Sequence, residues 1–271
     1  IGGIGCYSVD QPFNSGDAYR SLLDSFTRRG FVTLRVEKSG MGDSTGEACA
    51  TVDLNTEVSG LVAGLRQLKQ QAYVDPARVF IFGHSIGGVT GPLVATQEPV
   101  RGLLILESTG LNWFEYELIN LRRQLVLGHT PPAQIGEQML LKEWCMHHLM
   151  VEGEAREAIL KVKPGCSEHM SYPASDAYMR QVTSQNLEGL WSKLDGTDVG
   201  VIYGAADFVT GAFESRAIVD AVNASRPGKG TYIEINDMDH YLTQVPSQAA
   251  SLAAIEANKP QVLHPRLAKI T

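Results

Sequence analysis

The chain has 271 residues, 44% of them hydrophobic and 20% charged, enough apolar material for one large α/β core or a core plus an insertion. A net charge of −7 and the lack of any Lys/Arg cluster argue against nucleic acid and anionic membrane as partners, both of which need a concentrated basic face. No apolar run approaches about 20 residues, so no segment reads as a membrane span.

Ile1-Gly2-Gly3-Ile4-Gly5 opens without a methionine and reads as the end of a strand that begins further upstream in a longer protein, so the missing leader carries no information. Residues 1–13 form a glycine-rich turn. Residues 16–30 carry apolar positions at helical spacing and stop at Gly30, which suits a helix with a glycine cap. Phe31 to Val36 is β-branched and predicts a strand that runs into the polar, glycine-rich loop Glu37 to Gly46. Asp53 to Gln71 predicts an amphipathic helix with Leu54, Val58, Leu61, Val62, Leu65 and Leu68 on one stripe. Asp75-Pro76 marks the turn into the next strand.

That strand, Val79-Phe80-Ile81-Phe82, ends in Gly83-His84-Ser85-Ile86-Gly87-Gly88 and becomes helix-like. A serine at the apex of a strand–turn–helix needs small residues two positions before and after it, because a Cβ there meets backbone. Gly83 and Gly87 satisfy that requirement. The turn exposes the Ser85 hydroxyl and leaves the Ile86 amide at a helix N-terminus, where unpaired N–H groups can stabilise an oxyanion.

Gly102 to Glu107 is a second near-continuous apolar run, expected of a parallel sheet covered on both faces. Alternation breaks after Gly110. From Asn112 to Leu194 only helix-like segments appear, interrupted at Pro131-Pro132, Pro164-Gly165 and Pro173, and these read as a cap inserted over the site. Strand 199–204, helix 213–222, strand 231–235 and helix 241–257 then resume the pattern, and a tail starts at Asn258. The fold class is therefore α/β, a doubly wound, mostly parallel sheet with a helical cap. Its parts are a first core segment (1–111), the cap (112–194) and a second core segment with the tail (195–271).

A serine hydroxyl needs a general base, and the base needs a group that fixes its tautomer. Asp207, three residues past Gly204, and His240, five past Ile235, lie on loops at the carboxyl ends of later strands, the edge that carries Ser85. The order Ser85, Asp207, His240 resembles that of the α/β-hydrolase family. Gly83-His84-Ser85-Ile86-Gly87-Gly88 resembles its nucleophile elbow, Gly204-Ala205-Ala206-Asp207 its acid turn and Asp239-His240 its histidine loop. Lys38-Ser39-Gly40-Met41-Gly42-Asp43-Ser44 is similar to the Arg-Gly-x-Gly-x-Ser loop of capped esterases. The resemblance implies a carboxylic ester hydrolase acting on a small molecule without a cofactor or metal. It also implies a second oxyanion donor from Gly2-Gly3-Ile4-Gly5, the Ile4 amide, although the family's loop histidine is absent here.

Other residues leave alternatives open. Glu107 is another location for the acid in this fold, and His84 reads as a packing or hydrogen-bonding residue. Cys145, His147, His148, Cys166 and His169 lack the paired spacing of a tetrahedral zinc site. Among the aromatic residues of the cap, Trp113, Tyr116 and Trp144 are candidates for the substrate pocket, while Arg122-Arg123 reads as a solvated helix face or a carboxylate anchor. The four cysteines are either reduced core residues or the disulfides Cys6–Cys49 and Cys145–Cys166. That even count leans toward an extracytoplasmic setting, with the cytoplasm left open. A peptidase or thioesterase of the same fold, or a non-catalytic binding protein on a hydrolase scaffold, are the other readings.

Overall fold

A computed structural model describes residues 1–7 and 18–270. Four strands, β1 (Phe80–His84), β2 (Gly102–Leu106), β3 (Asp198–Gly204) and β4 (Gly230–Ile235), form a parallel sheet in the order β1-β2-β3-β4. Each strand pairs with its successor in unbroken register, from Phe80↔Gly102 at one side to Gly204↔Ile235 at the other. Side chains alternate across the sheet. Ile81, Leu103, Ile105, Val199 and Val201 enter one core, while Leu106, Ile202 and Ile235 enter a second.

The first core is closed by α2 (Leu54–Lys69), α3 (Gly87–Gln97), α10 (Ala212–Ser225) and the insertion described below. Asp53 caps α2 by accepting from the Thr56 amide at 2.8 Å, and Leu54, Val58, Val62 and Leu65 supply its buried stripe. The second core is covered by α1 (Ala18–Arg28) and α12 (Leu267–Ile270). Helix α1 ends where Gly30, at φ +87°, lets the Phe31 amide bond back to the Phe26 carbonyl. The sequence-predicted start of this helix at residues 16–17, and the turn at residues 8–13, lie outside the described residues.

Between β2 and β3 the chain forms α4 (Trp113–Leu127), α5 (Pro132–Met146) with a π-helical turn at His147–Val151, α6 (Arg156–Val162), α7 (Cys166–His169), α8 (Asp176–Thr183) and α9 (Leu187–Ser192). The structure joins Cys145 at the end of α5 to Cys166 at the start of α7, and Cys6 to Cys49. Among the described residues no helix is long and apolar enough to cross a membrane.

Two sequence expectations are corrected. Phe31–Val36 is not a strand; Phe31, Val32 and Leu34 are exposed, and no ladder forms. A β-branched run becomes a strand only when a neighbour pairs with it, and beside β1 that place is taken by Ile1. Its amino group donates to the Phe82 carbonyl at 2.8 Å, and its carbonyl accepts from the His84 amide at 3.1 Å. The helix expected from Tyr241 to Ala257 is α11 (Gln248–Glu256) alone, started by the Ser247 cap. Leu242 adopts φ 63°, and residues 238–245 form an irregular turn with isolated bridges, Met238↔Gln244 and Thr243↔Leu263. The tail packs on the body, with Leu267 fully buried.

Candidate active site

The carboxyl ends of the four adjacent strands carry the candidate residues, Ser85 after β1, Glu107 after β2, Asp207 after β3 and His240 after β4. Ser85 stands at φ 56°, a left-handed conformation that costs an ordinary residue energy and persists only where its surroundings enforce it. They do so tightly. A Cβ on Gly83 would lie 2.6 Å from the Gly87 carbonyl oxygen, and one on Gly87 would lie 2.9 Å from that of Ile1. The Ser85 amide donates to the Leu106 carbonyl at 3.0 Å, and the Ser108 hydroxyl donates to the Ser85 carbonyl at 2.7 Å.

His240 Nε2 sits 3.2 Å from Ser85 Oγ, and its Nδ1 sits 2.8 Å from Asp207 Oδ2. That pairing favours the tautomer with the proton on Nδ1, which leaves Nε2 free to accept from the serine. Asp207 is fully buried and accepts from the Val209 amide at 2.6 Å and the Thr210 amide at 3.0 Å, with the Thr210 hydroxyl on its other oxygen. Burial by itself would raise its pKa. The charge and hydrogen bond of His240, with the facing Glu107 and the Thr210 hydroxyl, outweigh burial and hold the pKa down at about 2.

Asp239 shapes the histidine turn. Its Oδ1 accepts from the Tyr241 and Thr243 amides, each at 3.0 Å, and its Oδ2 accepts from the Ser251 hydroxyl at 2.8 Å. His84 bonds the His240 carbonyl through Nε2 at 2.8 Å, a hydrogen-bonding role. Burial, followed by the proximity of His240, pushes the His84 pKa down to about 3, so this ring is neutral near pH 7. Glu107, at φ 46°, is fully buried, with its carboxyl group facing Asp207. Burial and then the Asp207 charge push its pKa well above the ordinary carboxylate range. The histidine bonds Asp207, and Glu107 stands beside that pair with its carboxyl shifted toward the protonated form.

Gly3 lies against the serine, since a Cβ on it would be 3.7 Å from Ser85 Cβ. The Ile4 and Ile86 amides have no acceptor among the described residues. A small cavity of ≈ 20 Å³ opens beside this loop, lined by Ile4, Gly5, Lys38 and Glu57 on one side and by Pro173 and Tyr178 of the insertion on the other.

The profile of the Hydrolase_4 family, described as serine aminopeptidase, S33, matches residues 14–243. The chain belongs to this family. No curated protein sequence matches it. Among solved structures, a Paleococcus ferrophilus monoacylglycerol lipase is 15% identical at a TM-score of 0.53, covering 100% of this chain and 93% of its own. A Pyrococcus furiosus esterase is 13% identical at a TM-score of 0.54, covering 88% and 73% respectively. The S33 chain thus has the α/β-hydrolase fold, and it is a hydrolase.

In this S33 hydrolase, Trp113 and Tyr116 are buried with ring centroids 4.9 Å apart, and the Asp207 charge reaches the Tyr116 phenol. Trp144 packs within the insertion, its ring 4.0 Å from that of His148 and 4.2 Å beneath Lys163 Nζ. Arg123 is neither solvated nor free for a substrate. Its guanidinium donates to the Val209 carbonyl at 2.8 Å and pairs with the buried Glu214, tying α4 to the Asp207 loop and α10. Sequence reading missed this clamp because its partners lie 86 and 91 residues away. Asp239 could have been found, as an aspartate directly before a loop histidine.

Proposed function

We propose that the protein cleaves a carboxylic ester of a small molecule through an acyl-enzyme intermediate. Ser85 Oγ attacks the carbonyl carbon while His240 Nε2 takes its proton. Asp207 orients the imidazole and stabilises its charged form. The Ile86 and Ile4 amides hold the oxyanion of the tetrahedral intermediate. His240 returns the proton to the departing alcohol, and water repeats the sequence on the acyl group. The route draws only on side chains and amides of the chain itself. The observation that carries it is the continuous relay of 3.2 Å and 2.8 Å from Ser85 through His240 to Asp207.

Substrate choice belongs, in this reading, to residues 112–194 acting as a cap between the two core segments, 1–111 and 195–271. Pro173 and Tyr178 of the insertion face the Ile4 loop across a small cavity, and that proximity supports the division. Ser85→Ala should abolish hydrolysis of p-nitrophenyl butyrate while the circular dichroism spectrum stays unchanged; retained turnover would refute the mechanism.

The family description, serine aminopeptidase, favours a second reading in which an amide is cleaved by the same residues. Parallel assays with aminoacyl-arylamides and acyl-CoA separate amide and thioester cleavage from ester cleavage. Failure of a fluorophosphonate to label Ser85 would point instead to a binding protein.

A further inference from the structure

Two side chains converge on one atom of the Gly2–Gly5 loop, the Gly3 carbonyl oxygen. The Tyr7 hydroxyl donates to it at 2.8 Å, and Lys38 Nζ lies 3.4 Å from it. Lys38 is itself pinned by Glu57 of α2, whose Oε2 is 3.2 Å from Nζ, and both side chains are largely buried. Three residues further along the loop, Cys6 is joined to Cys49.

A trans peptide is planar, with its C=O and N–H pointing in opposite directions, and no cis bond occurs among the described residues. Fixing the Gly3 carbonyl therefore fixes the direction of the Ile4 N–H in the same plane. The flanking residues are glycines, Gly2, Gly3 and Gly5, and Gly5 stands at φ +124°. Such a segment has no preferred orientation of its own. An oxyanion donor is useful only when its direction is set before charge develops.

We infer that Tyr7 and the Lys38–Glu57 ion pair are positioning residues, which aim the Ile4 amide at the oxyanion by holding the Gly3 carbonyl. This rests on the reading of Ile4 as the second oxyanion donor. It gives the loop Lys38 to Ser44 a task in the reaction: Lys38 neutralises Glu57 and presents a donor to the peptide that joins Gly3 and Ile4. Neither residue touches substrate in this assignment, so both act on the transition state more than on ground-state binding.

The test compares Tyr7→Phe, Lys38→Met, their double variant and Lys38→Arg with the wild type, using p-nitrophenyl butyrate and an alkyl trifluoromethyl ketone as a tetrahedral-adduct inhibitor. Tyr7→Phe should lower kcat about 10-fold and the double variant about 100-fold, with KM within about twofold. Inhibitor affinity should fall in parallel with kcat, which a merely structural role would not produce. Lys38→Arg should keep kcat within about threefold of wild type, since it retains the charge and a donor. If the Lys38 variants do not fold, Tyr7→Phe alone decides. A double variant, or Tyr7→Phe in that case, with kcat within about twofold of wild type overturns the assignment. Turnover surviving in Ser85→Ala would remove the hydrolytic reading beneath it, so the two failures are distinguishable.

Discussion

Glu107 brings a second carboxyl group into a site that has use for one negative charge. Like charges in a dry pocket cannot both be carried cheaply, and the structure divides the labour by environment. Asp207 has donors on both oxygens, while burial and then the Asp207 charge shift Glu107 toward its neutral form. Glu107→Gln should therefore keep kcat/KM within about threefold and leave the acid limb of its pH profile within about 0.3 units. A clear downward move of that limb would mean that Glu107 is ionised and supports the charge on His240. The other titratable or charged groups around it, Asp207, Asp239 and Tyr203, are unchanged in that variant. His84 makes a prediction of stability. Its folded pKa of about 3 lies below the unfolded value of 6.5, so the stability that it contributes is present above pH 6.5 and is lost as pH falls toward 3. Thermal melts of the wild type should drop steadily from pH 6.5 to 4, and those of His84→Gln should drop less over that window. Equal slopes would show that other groups govern acid sensitivity.

At the scale of elements, Arg123 shows what a helix of the insertion does for the sheet. Its pair with Glu214 is partly enclosed, at 14% and 1% side-chain exposure, so removing one partner strands a buried charge. Arg123→Met should cost about 3 kcal/mol in a denaturant melt. Replacing Glu214 by Met as well should return part of that loss; a double variant as unstable as the single one would argue that the bond to the Val209 carbonyl carries the effect. This clamp also shows where sequence reading stops. Strand β2 was legible because a strand covered on both faces must be apolar throughout. The elbow was legible because a positive φ at Ser85 demands glycines at fixed distances. Phe31 to Val36 has the same composition as a strand, but strand formation depends on which segment lies alongside, and no local pattern records that. The end of the chain misled in a different way: apolar spacing continued through Tyr241 to Val245, but the carboxylate of Asp239 draws the backbone into a turn there, and the helix starts only at its Ser247 cap. Ser85, Asp207 and His240 were named from local context, whereas the Gly3, Lys38 and Glu57 arrangement depends on contacts across the fold.

For the whole molecule, two disulfides close loops spanning 43 and 21 residues. Chain-entropy arguments assign about 4 kcal/mol to the longer and about 3 kcal/mol to the shorter. Only the longer one lies beside the proposed oxyanion donor. Cys145→Ala/Cys166→Ala should lower the melting temperature with kcat little changed at 25 °C, whereas Cys6→Ala/Cys49→Ala should lower both. Equal loss of kcat in the two variants would show that the insertion's bridge also reaches the chemistry.

The relay from Ser85 to His240 spans 155 residues of chain. During synthesis the nucleophile leaves the ribosome first, and the base that activates it follows only after the whole insertion and two more strands. At ordinary elongation rates that interval is roughly 10 to 30 s. Throughout it the proposed nucleophile is without the histidine that the proposed mechanism assigns to take its proton. If the proposed mechanism holds, a hydrolase wired in this order stays inert until the loop after β4 is in place.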